Sequence, residues 1–149
     1  MNEHRLRQLS KTRALELLAS VSLGRLVFTH HALPAIRPVN HLVRCESIII
    51  RATEGAAITS ASRNGTVVAY EADSNDPDTH LGWSVIVVGT ARLLTDDDAA
   101  ARYRLLLQPW ISGEMDDVIT ISTDMVTGYE MVPGEPADSR QQVPASDSQ

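Results

Sequence analysis

The chain has a single cysteine, Cys45, and a single lysine, Lys11, and aromatic residues make up only 4% of its 149 positions. One cysteine excludes an internal disulfide and any multi-cysteine metal cluster. It also fits a reducing compartment, so a cytoplasmic protein is expected. With one lysine, every other side-chain cation is an arginine, whose planar fork suits bidentate contacts with phosphate or carboxylate. Long apolar runs are missing as well: Ser47 to Ile50 and Val85 to Val88 fall far short of a membrane span, and MNEHRLRQLSK has no apolar signal core. No membrane partner is expected. Basic excess is lacking too, with 13 Lys plus Arg against 19 Asp plus Glu and a formal charge of -6, which argues against a nucleic-acid partner.

Further absences narrow the chemistry. His4, His30, His31, His41 and His80 form no i,i+4 pair and have no cysteine or carboxylate spacing suited to a metal, so no metal is expected. There is no GxSxG elbow and no glycine-rich loop ahead of a helix, which removes the common hydrolase, P-loop and Rossmann signals.

The length suits one domain with one core, too short for separate cofactor and substrate domains. A sizeable ligand is therefore expected at an edge or between subunits. Ser10 can cap a helix whose apolar residues Ala14, Leu15, Leu17, Leu18 and Val21 recur at helical spacing, with Gly24 marking its end. The texture then changes to β-branched runs, which predict strands at Arg25 to Thr29, Ala35 to Arg44, Ser47 to Ala52, Val67 to Ala72 and Trp83 to Leu94. His30 to Pro34 reads as a hairpin connection, Gly55 to Ser62 as a short helix or crossing loop, and Asn64-Gly65 as a turn. Asp73 to His80 reads as an exposed loop. Asp96 to Asp98 can start a helix running through Leu107, with Ala99, Ala100, Tyr103, Leu106 and Leu107 available for its buried face and Pro109 to stop it. Val118 to Ile121 and Thr127 to Val132 supply the last strand material, followed by a polar tail over 134–149 that has little to bury and is expected to be disordered. The expectation is a mainly β domain over 1–133: a six-stranded antiparallel barrel with peripheral helices.

Four places invite chemistry. In an extended strand Ala35, Arg37, Val39, His41 and Val43 share one face. Arg37 among these apolar neighbours needs a partner, either a carboxylate such as Glu46 or Glu71 or an anionic ligand. Pro38 has no amide donor and belongs at an edge or bulge, where nearby backbone groups are free to meet a ligand. Arg51 closes an isoleucine run at a strand end, suited to a phosphate clamp or to a solvated surface. Trp83, with Gly82 before it, can wall a planar ligand or pack in a core or dimer interface.

The order GRLVFT, ALPAIRPVN, IIIRATEG, VVAYEAD, GWSVIVVGTAR and PW, after an N-terminal helix, resembles the compact actinobacterial-type branch of the pyridoxamine 5'-phosphate oxidase-like proteins from Leu9 to Val132. The resemblance implies an FMN-binding split barrel forming a homodimer, with a flavin mononucleotide in each of two interface clefts. It implies that Arg37, Val39 and Asn40 line the isoalloxazine, that Ile50, Arg51 and Ala52 approach the ribityl chain and phosphate, and that Trp83 and Ser84 come from the partner subunit. Relatives often read RTxPGxKL where this chain has RATEGAAI, so Ala52 and Ala57 stand where a threonine and a lysine would meet phosphate. Glu54 adds negative charge nearby, and Tyr129 stands where relatives tend to have an arginine. The clamp would then rest on Arg51, helped by Thr53 or Arg63. The outcomes implied are FMN, the deazaflavin coenzyme F-420, or no cofactor in the cleft. As an enzyme the protein would be a flavin-dependent oxidoreductase acting on a small organic substrate. Without turnover it would be a flavin-binding or structural dimer. Pyridoxamine 5'-phosphate oxidation itself is not expected, because the C-terminal arginine- and histidine-bearing substrate segment of that enzyme is missing.

Overall fold

The computed structural model describes residues 4–53, 55–110 and 115–134. Glu54 and the tail beyond residue 134 lie outside the described residues. Eight strands and three helices follow one another as β1 (His4–Gln8), α1 (Lys11–Ala19), β2 (Leu23–His30), β3 (Leu33–Arg44), β4 (Ser47–Ala52), α2 (Ala57–Ser62), β5 (Thr66–Asn75), β6 (Gly82–Leu93), α3 (Asp97–Leu106), β7 (Asp117–Ser122) and β8 (Met125–Pro133). The strand order is β1-β8-β6-β5-β2-β3-β4-β7, and an added β6–β7 pairing closes six of them into an antiparallel barrel.

The long strand β6 makes the split. One edge pairs with β5, while the other is shared, with Gly82 to Val88 against β8 and Ala91 to Leu93 against β7. At the change of partner lies Gly89, where a Cβ would stand 1.6 Å from the Ser122 carbonyl oxygen. Only glycine lets the β7–β8 corner cross so close.

Period-two alternation fills the interior. Leu26, Phe28, Val68, Tyr70, Val85, Val87, Ile119 and Ile121 are buried in the main cluster, each side chain contributing about 1.5–3 kcal/mol of hydrophobic stabilisation. β4 is apolar on both faces because it is covered twice: Ile48 and Ile50 join the main core, whereas Ile49 packs with Ala100 and Val118 beneath α3. Both tight hairpins have two-residue turns with positive φ, His31-Ala32 (52° and 62°) and Cys45-Glu46 (51° and 61°). This geometry matches the right-handed twist of the flanking strands without any asparagine or glycine.

Several boundaries differ from the sequence reading. Ser10 does cap α1, its Oγ accepting from the Arg13 amide at 3.1 Å. The helix ends at Ala19, however, and Gly24 lies inside β2, where the Tyr70 ring takes the space of its missing side chain. Asp73 to Asn75, read as loop, extend β5 because β6 continues opposite them from Ser84 to Gly82. The expected Asp96 cap is present, accepting from the amides of Asp98 and Ala99, but Leu106 is turned outward, 54% exposed. β1, which pairs with β8 and carries the Arg7–Glu130 ion pair, was not anticipated.

Candidate functional site

A cleft of about 490 Å³ opens at the barrel mouth where β2, β3, β4 and the start of α2 converge. Its wall includes Arg37, Val39, Ile50, Arg51, Ala52, Thr53 and Ala57, so the topology gathers seven of the ten residues singled out in the sequence. Cross-strand pairing explains the gathering: Leu26 lies opposite Arg37, Gly24 opposite Val39, and His41 opposite Ile50, which puts the inward positions of three strands on one surface. Arg37 and Arg51 are the charged side chains among the described lining residues, and no carboxylate lines the cleft with them.

Arg37 does not form the expected ion pair. Glu46, in the β3–β4 turn, is held by Lys11 of α1 at 3.3 Å, and Glu71 by Arg25, its cross-strand partner in the β2–β5 register, at 3.1 Å. The Arg37 guanidinium instead sits 5.8 Å above the Phe28 ring, and its Nη1 donates to the Ile36 carbonyl at 3.0 Å. It is exposed and retains donors for an incoming group.

Asn40 and Arg51 have other engagements. Asn40 Nδ2 donates to the Ser22 carbonyl at 3.0 Å while its Oδ1 accepts from the Trp110 amide at 2.8 Å, tying the segment after α3 to the barrel. Asn40 lines a smaller adjoining cavity of about 30 Å³ with Leu107 and Pro109. Arg51 is only 12% exposed in its side chain, and its Nε donates to the Met115 carbonyl at 2.6 Å. Its Nη1 donates to the carbonyls of Arg104 at 3.1 Å and Leu107 at 2.9 Å.

Trp83 and Ser84 lie on β6, opposite Ser74 and Asp73 of β5, and do not line this chain's cleft. Trp83 packs against the main core. Conversely, Leu26, Phe28, Pro38, Ala56, Ile58 and Met115 line the cleft. Phe28 was legible as the partner of Leu26 in period two. Met115 carried no signal, since only the fold brings it to β4.

Behind the Val39 side of the wall lies a buried polar chain. Tyr70 Oη contacts His41 Nδ1 and lies 3.1 Å from the Val39 carbonyl, and the imidazole Nε2 faces the Leu18 carbonyl at 2.8 Å. Burial pushes the His41 imidazole below its usual value and the Tyr70 phenol above its own. On the outer face burial, helped by neighbouring Asp73, raises the Glu71 carboxyl, with Arg25 opposing. Among the described residues no cluster of three or more His, Cys, Asp or Glu is disposed to hold a metal ion. No helix described is long and apolar enough to cross a membrane.

An apolar cleft with the exposed Arg37 on its wall can hold a planar aromatic ligand and steady negative charge on it. Comparison with known proteins agrees with this architecture. The pyridoxamine 5'-phosphate oxidase family profile matches residues 10–139. The Mycobacterium tuberculosis protein Rv0080 is 48% identical over 137 residues, covering 89% of this chain and 88% of its own. A Corynebacterium glutamicum structure assigned to pyridoxamine 5'-phosphate oxidase superposes with a TM-score of 0.72 at 34% identity, covering 87% of this chain and 96% of its own. The FAD binding protein of Mycobacterium smegmatis superposes with a TM-score of 0.63 at 31% identity, covering 85% of this chain and 98% of its own. By sequence profile, relatives and fold, the chain belongs to the pyridoxamine 5'-phosphate oxidase-like family of flavin-binding split barrels.

Proposed function

We propose that this protein is a cytoplasmic, homodimeric, flavin-dependent oxidoreductase acting on a small organic substrate. The observation that carries the reading is the convergence of Arg37, Val39, Ile50 and Ala52 on one open, apolar, cationic cleft. The flavin-binding family, and the FAD-binding relative within it, support a flavin as the group held there. A bound flavin supplies hydride transfer, and the barrel supplies orientation and electrostatics. Arg37, exposed on the wall and without a carboxylate partner among the described residues, is placed to steady negative charge at the pyrimidine edge of the ring.

A second copy of the chain is supported by the outer surface. Ile36, Val27, Ala69, Val88 and Met125 stand side by side in register on the outward side of five strands, with Ile36 59% and Met125 65% exposed. A contiguous apolar row of this kind marks an interaction surface. Trp83 and Ser84, away from their own cleft, are then available to the partner's.

The test is titration of the purified protein with FMN and, side by side, with the deazaflavin coenzyme F-420, followed by reduction of the complex with NADPH. Saturable FMN binding and reduction support the reading. Binding of the deazaflavin alone replaces the cofactor, and binding of neither removes it.

A further inference from the structure

The wall of the cleft formed by β4 and α2 is poorly equipped to hold a terminal phosphate. Along β4, Ile50 and Ala52 face the barrel interior, whereas Ile49 and Arg51 face α3, as the packing of Ile49 against Ala100 and Val118 fixes. The Arg51 guanidinium, with five N–H donors, directs three hydrogen bonds to the carbonyls of Arg104, Leu107 and Met115. Its Nη2 faces Asp116 Oδ1 at 4.0 Å. Two of those carbonyls lie at the end of α3, where a helix leaves acceptors without intrahelical partners. Turning Arg51 toward a phosphate would take the donor away from Leu107 and Met115.

The neighbouring positions offer little in its place. Ala52, Ala56 and Ala57 carry no polar side-chain atom. The Thr59 hydroxyl is buried and donates to the Thr53 carbonyl at 3.0 Å, and that same carbonyl accepts from the Ala56 amide. Among the described residues of this wall the Thr53 hydroxyl is left, a neutral group facing what would be a dianion.

We propose that this cleft recognises the ring system of its ligand and leaves a phosphorylated tail in solvent, so that riboflavin, FMN and FAD bind with nearly equal affinity. The inference rests on the flavin reading above and concerns the part of the flavin that is recognised. Arg51 is then a positioning residue that ties α3 and Met115 to β4.

The experiment is fluorescence titration of the full chain with riboflavin, FMN and FAD at low and high salt, for the native protein and for Arg51→Lys. The expected result is three Kd values within about threefold of one another and little moved by salt, since the described residues of the β4–α2 wall offer no free cation to pair with a phosphate and be screened. In Arg51→Lys the thermal midpoint falls while the FMN-to-riboflavin ratio stays as it was. FMN tighter than riboflavin by about tenfold or more, which is about 1.4 kcal/mol, overturns the inference and leaves the flavin reading standing. So does loss of an FMN preference in Arg51→Lys. Should that variant not fold, the native ratios and their salt dependence decide alone. If none of the three ligands binds, the flavin reading fails and this inference with it.

Discussion

The His41 imidazole and the Tyr70 phenol meet inside the barrel, Nδ1 to Oη at 2.5 Å with their rings edge-on at 81°. The Leu18 carbonyl opposite Nε2 can only accept, so Nε2 carries the proton of the neutral ring and Nδ1 is left to accept from Tyr70. Gly24 makes the pair possible: a Cβ there would lie 2.5 Å from the phenol carbon and oxygen. Removing the hydroxyl with Tyr70→Phe leaves the buried Nδ1 without its donor. The expected loss is about 1–3 kcal/mol of folding stability, read from urea denaturation.

The same pair sets a pH dependence. The folded pKa of His41 lies below its ordinary 6.5, with burial as the leading cause and the Leu18 hydrogen bond opposing it. Below pH 6.5 the unfolded chain takes up a proton that the folded protein refuses. Stability contributed by His41 is therefore whole above that pH and is lost as the pH falls toward the folded value. The slope is at most about 1.4 kcal/mol per pH unit. Denaturation midpoints measured between neutral and mildly acidic pH should fall in the native protein and fall less in His41→Gln, where this titration is gone.

At the split in the barrel, Gly89→Ala would drive a methyl into the Ser122 carbonyl, backbone against backbone. Neither strand can yield without breaking the β6–β7 seam. A loss on the order of 3 kcal/mol is expected, seen as a lowered Tm in calorimetry.

For Arg51, replacement by methionine keeps much of the apolar stem and removes every hydrogen bond to the α3 end. Charge-assisted bonds of this kind contribute about 1.5–3 kcal/mol each when intact, so a loss of about 3 kcal/mol is expected from three partly compensated carbonyls. Urea denaturation measures it, and a loss no larger than that of a surface arginine would remove the tether.

If the outer row forms the dimer contact, Val27→Asp places a charge within it, between Ile36 and Ala69. Light scattering should then find monomers where the native protein gives dimers, with the circular dichroism unchanged. A dimer that survives the substitution would move the interface elsewhere.

The sequence revealed the strands because their β-branched runs alternate with turns. It revealed most of the cleft because pairing of β2, β3 and β4 is local. It misled where one residue type serves two purposes. Gly24 reads as a helix stop but opens a space for Tyr70, and Arg51, read as a phosphate clamp or a solvated strand end, also holds the end of α3 through backbone carbonyls. The clue to Arg51 was hidden by Ile48, Ile49 and Ile50. A run that is apolar on both faces erases the alternation that tells inward from outward, and only the position of α3 restores it. Arg37 was placed on the right face, while its carboxylate partner was not found, because Glu46 and Glu71 answer to Lys11 and Arg25.

The shared edge of β6 has a dynamic consequence. β7 is held to β6 by three register pairs, from Ala91 to Leu93, against ten between β5 and β6. Opening at that short seam exposes the amides of β7 first and loosens β4, its other neighbour, which carries Ile50 and Ala52 of the cleft. A ligand seated there would slow amide exchange along β7 without touching it, so that this short seam of the barrel would report on whether the cleft is filled.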